Sequence, residues 1–243
     1  MNEAGSDDHA ARGVRVQTEG LGLRGPRGWV YRNIDIDAPP GALVVVEGPP
    51  GSGRTCLLLT LAGRMRPTTG TARIGGHPLP KRAGAVRRIA ALGPVPGVND
   101  PEPALTVHEL MRERLLPGRH RARRVAGALR LVGLEPDRLP LSERTPAHRL
   151  DALDAFRLGT AAALLARPGL LCVDSVLDPL PPADRATALG VLQAARAEGT
   201  TVVVARSDAA EWRGTADLLV RLAPATPTTP TTPSAQEATG ARA

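Results

Sequence analysis

Residues Gly48, Pro49, Pro50, Gly51, Ser52, Gly53, Arg54 and Thr55 combine closely spaced glycines with a cation and a hydroxyl, a set suited to holding a phosphate. Glycines let backbone amides curl round an anion with no Cβ in the way, and a helix that follows aims its positive end at the same point. The phosphate-loop pattern is Gly, four residues, Gly, Lys, Ser or Thr, and the chain meets it everywhere except at the lysine. Thr55 supplies the hydroxyl expected to touch Mg²⁺, and the amides as far as Cys56 complete the expected cradle. Arg54 stands at the lysine place. A lysine ammonium is compact and bridges β- and γ-phosphates, whereas a guanidinium is planar, bulkier and always charged. The exchange is compatible with binding but disturbs the placing of the γ-phosphate. The competing reading is a tight strand-to-helix turn with no ligand.

Such a loop needs a strand before it and a helix after it. Residues 42–48 (ALVVVEG) form a β-branched run suited to a strand buried on both faces of a parallel sheet. Residues 55–63 (TCLLLTLAG) read as a buried helix stopped by Gly63. Two more buried strands, 170–173 (LLCV) and 201–205 (TVVVA), flank a helical pattern over 183–197 and describe a βαβ crossover. A short β-rich start lies at 14–16 and 30–36. The middle, about 104–165, carries Leu, Ala and Arg at helical spacing and reads as a helical insertion. Residues 1–11 and the Pro/Thr-rich stretch 223–243 lack the apolar content to order themselves, which leaves 12–222 as one folded domain.

The chain has 243 residues, 42% of them hydrophobic, enough to bury a core without disulfide or metal staples. Cys56 and Cys172 sit in apolar runs and read as core thiols in a reducing compartment, which favours the cytoplasm. No apolar run approaches the roughly 18 to 20 residues of a membrane span, so work at a membrane would require a partner. The formal charge of +7 comes with only 2% aromatic residues, little to stack on bases, and no nucleic-acid partner is expected. The RHRARR run at 119–124 reads as a solvated helix face, with a patch for an anionic partner as the alternative. The five histidines have no metal-ligand spacing.

Residues 67–76 (PTTGTARIGG) follow the phosphate loop at the spacing of a segment found in ATP-binding-cassette (ABC) proteins, and the similarity continues along the chain. Residues 106–110 (TVHEL) resemble the start of that family's helical subdomain, 131–134 (LVGL) its later V-G-L, 170–174 (LLCVD) its Walker B strand and 217–222 (DLLVRL) its closing strand. The chain thus resembles an ABC transporter nucleotide-binding domain over about residues 12–222. The resemblance implies an α/β P-loop NTPase fold with a mostly parallel sheet core, a small antiparallel β part and a helical subdomain. It also implies ATP and Mg²⁺ as ligands, with Asp174 holding the metal through water. A capping aspartate at a strand end is the bland reading of Asp174. As partners it implies a membrane-spanning transporter subunit and a second nucleotide-binding domain, in a homo- or heterodimer at the inner face of the cell membrane.

The departures from the family pattern all fall at catalytic positions. The signature, LSGGQ in the family, falls at 150–154 and reads LDALD, so Asp151, Ala152 and Leu153 set charge and bulk where a hydroxyl and bare amides belong. The LSERT at 141–145 begins like a signature but stands too far upstream. The glutamate that activates the attacking water is replaced by Ser175, which is no general base near neutral pH. The magnesium-sensing glutamine falls at Pro94, the aspartate of the next loop at Pro181 and the switch histidine at Ser207. The aromatic that stacks on adenine is missing at 23–25; Trp29 and Tyr31 are candidate substitutes, and packing is the competing role for each. The expectation is therefore an ATP-binding subunit with slow or absent hydrolysis and no catalytic residue of its own. A non-catalytic regulator or scaffold that keeps the cassette fold is the alternative. A nucleotide or small-molecule kinase would need an acceptor pocket and a lid with catalytic arginines.

Overall fold

The computed structural model describes residues 13–113, 121–134, 146–174 and 177–224. Residues 1–11 and 225–243 of the two tails, Ser175, the LSERT segment and residues 119 and 120 lie outside the described residues.

The chain opens with a hairpin of β1 (Val16–Gly25) and β2 (Gly28–Ala38), whose inward residues Val16, Leu21, Ile34 and Ile36 are buried. There follow β3 (Leu43–Glu47), α1 (Arg54–Leu61), β4 (Thr69–Ile74), β5 (His77–Leu79), α2 (Ala83–Ile89) and β6 (Ala90–Leu92). Among the described residues α3 (Val107–Glu113), α4 (Arg121–Leu131) and α5 (Ala152–Leu164) come next, and the chain returns through β7 (Leu170–Val173), α6 (Pro182–Ala197), β8 (Thr201–Arg206) and β9 (Leu218–Arg221). The start of α3 has a local cause: Thr106 Oγ1 accepts from the Glu109 N–H while the Glu109 carboxylate accepts the Thr106 N–H at 2.8 Å, a reciprocal cap.

The strands form two sheets, an antiparallel one in the order β2-β1-β4-β5 and a parallel one in the order β6-β7-β8-β3-β9. The β-branched run of β3 is explained by its neighbours: β8 and β9 pair with it on either side, and both faces are covered. Leu43 and Val45 face a core shared with α3, α4, α5 and α6, including Phe156, Leu192 and Trp212. Val44 and Val46 face the opposite core, with Leu57, Leu58 and Leu61 of α1 and Ile36 and Ile74 of the antiparallel sheet. The two-residue period of a strand thus feeds two cores from one run of valines. The architecture is the α/β fold expected from the sequence.

Candidate functional site

The parallel strands β3, β7 and β8 all run to the same edge, and the residues that follow them form the candidate site. Ligands of open α/β sheets bind at such carboxyl ends. β3 ends at Glu47 and enters the glycine loop, β7 delivers Asp174, and β8, lying between them, delivers Arg206 and Ser207.

Within the loop, Gly48 N–H donates to the Arg206 carbonyl at 3.1 Å and Ser52 N–H to the Pro49 carbonyl at 3.1 Å. Gly53 precedes α1 at φ 88, in the left-handed region, and a Cβ there would overlap the Val30 carbonyl oxygen of β2. Only glycine fits that place. Gly53 caps α1 without a side-chain bond, and the first turn carries no acidic residue, so its amides are left to an external acceptor. Ser52 is fully buried, and its Oγ has no hydrogen-bond partner among the described residues. It sits 2.6 Å from where a Cβ on Gly48 would be, inside the turn. An uncapped helix start, a loop closed to any Cβ at Gly53 and an orphaned hydroxyl together fit a phosphate group.

Thr55 and Asp174 meet directly, the Thr55 hydroxyl donating to the Asp174 carboxylate. Asp174 is 4% exposed, and its N–H donates to the Pro94 carbonyl at 3.1 Å. A hydroxyl and a carboxylate are the hard oxygen donors that Mg²⁺ takes. Cys56, half-buried beside them, has its thiol pKa raised by burial first and by the Asp174 charge second. Cys172 is fully buried in β7, and burial pushes its thiol up to about 12. Both cysteines are free.

Arg54 leaves the loop sideways. Its Nη1 donates to Ser207 Oγ at 2.9 Å and lies 3.7 Å from the Asp178 carboxylate. Asp178 also accepts the Ser207 N–H at 3.0 Å and the Ser207 hydroxyl at 2.6 Å, and pairs with Arg206 Nε at 2.9 Å. Arg206 is 4% exposed, lies over the Trp212 ring at 5.2 Å, and its Nη1 has no hydrogen-bond partner among the described residues. Burial pulls its pKa below the ordinary arginine value. Beside it, Arg185 pairs with Glu211 at 2.7 Å, and Asp178, Arg185, Arg206, Ser207, Asp208 and Glu211 line a hollow of about 210 Å³. The sequence reading did not single out Asp178, although a carboxylate four residues after Asp174 in the same loop was there to be found.

The remaining positions have structural jobs. Asp151 caps α5, its carboxylate accepting the Asp154 N–H at 2.7 Å, and Asp154 pairs with Arg157 at 3.2 Å. The start of α5 is therefore satisfied by the chain's own carboxylate. Pro94 packs against α5, its Cγ 2.7 Å from where a Cβ on Gly159 would be, and its loop is held by Asn99, which donates to the Gly93 carbonyl at 2.8 Å. Pro181 precedes α6 with no side-chain cap. Tyr31 is core, with its hydroxyl 2.7 Å from Thr60 Oγ1, and burial raises its pKa to about 12. Trp29 is half-buried under the Arg24 guanidinium at 5.9 Å and lines a second hollow of about 170 Å³ with Val30, Arg221 and Leu222.

Comparison with known proteins gives a consistent result. The ABC transporter family model matches residues 31–177. The chain is 30% identical over 195 residues to the cytochrome c biogenesis ATP-binding export protein CcmA of Pseudomonas putida, covering 79% of this chain and 89% of that protein. It is 31% identical over 232 residues to the phosphate import ATP-binding protein PstB 2 of Natronomonas pharaonis, covering 90% of this chain and 79% of that protein. Among solved structures, the dimeric bacterial ABC transporter cassette MJ0796 superposes with a TM-score of 0.71 at 19% identity, covering 86% of this chain and 94% of that one.

Proposed function

We propose that this chain, which belongs to the ABC transporter family, holds an adenine nucleotide on the amides of its glycine loop and hydrolyses it slowly or not at all. It is an ATP-binding subunit of the ABC transporter type. The observation that carries the finer reading is the pairing of an intact backbone cradle with displaced side chains. Gly53 and the uncapped start of α1 keep the phosphate-binding amides, while Arg54, in the lysine place, is tied to Ser207 and Asp178.

Mg²⁺, when bound, neutralises phosphate charge; Thr55 and Asp174 would hold it. The amides of residues 51–56 bind and orient the phosphates. The groups that would move a proton or meet developing charge are missing from the chain: Ser175 replaces the base, Asp151 closes the end of α5, and Pro94 carries no polar side chain. Each such oriented group is commonly worth about 10²- to 10³-fold in rate. The nucleotide-binding domain spans 12–222, with its helical subdomain at about 104–165. It works with a second nucleotide-binding domain, as the MJ0796 cassette is dimeric, beneath a membrane-spanning subunit at the inner face of the membrane.

The test is thermal stability of the purified chain with and without millimolar Mg-ATP. Ligand at 100 times its dissociation constant adds about 2.7 kcal/mol to the native state, so a clear rise in Tm is expected. No shift favours the scaffold reading, to which the internal pairing of Arg54 also lends support.

A further inference from the structure

The cation of the glycine loop already has an anion. Asp178 accepts two hydrogen bonds, from Ser207 N–H at 3.0 Å and Ser207 Oγ at 2.6 Å, and stands in ion-pair contact with Arg206 Nε at 2.9 Å and Arg54 Nη1 at 3.7 Å. This is the kind of donor set that a phosphate takes. The side chains are withdrawn from solvent, 10% exposed for Arg54, 5% for Arg206 and 23% for Asp178, so salt screens them weakly. Around the adjoining hollow, the guanidiniums of Arg185 and Arg206 face the carboxylates of Asp178, Asp208 and Glu211, and Arg54 reaches Asp178 from the loop, so the cationic groups are matched by carboxylates of the same chain.

We propose that Asp178 makes the site selective for the nucleoside diphosphate over the triphosphate. The inference rests on the reading that the loop binds adenine nucleotide. A β-phosphate takes most of its contacts from backbone amides and depends less on the loop cation than a γ-phosphate does. A third phosphate calls on the loop cation, and here it must compete for Arg54 with a carboxylate covalently tied to the same chain. Where Asp178 stays, the added phosphate charge meets a like charge in a poorly screened site. Where Asp178 is displaced, the buried Arg206, whose Nε and Nη1 make no hydrogen bond among the described residues, loses the carboxylate in direct ion-pair contact with it and keeps only the longer-range charges of Glu211 and Asp208, and a less compensated buried charge is disfavoured. Either route penalises ATP more than ADP.

The experiment is competition of Mg-ADP and Mg-ATP against a fluorescent ADP analogue on the full chain, with calorimetry as a second readout, for the wild type and Asp178→Asn. The wild type is expected to bind ADP at least about tenfold more tightly than ATP, and Asp178→Asn to bring the two within about threefold by tightening ATP. Equal affinities in the wild type, or an unchanged ratio in a folded Asp178→Asn, overturn the selectivity while leaving the nucleotide site standing. Failure of both nucleotides to bind at millimolar concentration overturns the underlying reading as well. The wild-type ratio requires no variant, so the proposal remains testable even where Asp178→Asn does not fold.

Discussion

Ser52 and Gly53 carry opposite consequences for the same loop. Ser52 buries a hydroxyl that finds no partner among the described residues, and an unsatisfied buried polar group costs about 1–3 kcal/mol. Ser52→Ala should therefore leave the ligand-free protein as stable or about 1 kcal/mol more stable in urea unfolding, and weaken its affinity for nucleotide. A loss of stability would mean that the hydroxyl is already satisfied. Gly53→Ala should cost about 2 kcal/mol or more, because its φ of 88 disfavours a side chain and the Val30 carbonyl occupies the space. The glycine pattern was legible in the sequence because its spacing is local. The destination of the Arg54 side chain was not: its partner Ser207 lies 153 residues away, and only the parallel pairing of β3 with β8 brings the two together.

At the scale of elements, the strand readings held where one cause dominated. Residues 43–46 are apolar because both faces of β3 are buried, and such a run identifies a central strand without knowledge of its neighbours. β6 and α2 escaped notice because three residues of strand and seven of helix give too short a period to see, and their places are set by packing against β7 and β5. α5 shows how a residue that looks like damage can be structural. Asp151, which the sequence resemblance sets against the family's signature serine, caps the helix. Asp151→Ala should destabilise the protein by about 1 kcal/mol in denaturant unfolding without raising its ATPase rate. A gain in hydrolysis would instead mark the Asp151 charge as the main obstacle.

For the whole molecule, acid stability should follow the carboxylates that join distant segments. Glu47, at the end of β3, accepts the Ala209 N–H at 3.0 Å and pairs with Arg221 of β9 at 3.1 Å; the first of these does most to hold its pKa below the ordinary value of 4.5. Glu211, bonded to Arg185, is shifted the same way. Because the folded values lie below the unfolded ones, these groups stabilise fully above about pH 4.5, and the contribution is lost as pH falls through the folded values. Urea midpoints measured from pH 7 to pH 3 should fall in that window, less steeply in Glu47→Gln; an identical slope would remove Glu47 from the account. The central claim, that a phosphate cradle survives without the means to cleave what it holds, is tested most directly by phosphate release from saturating Mg-ATP with the purified chain. The account predicts release that is absent or far slower than about 1 s⁻¹, and steady turnover at about 1 s⁻¹ or faster, within the ordinary enzymatic range, would contradict it.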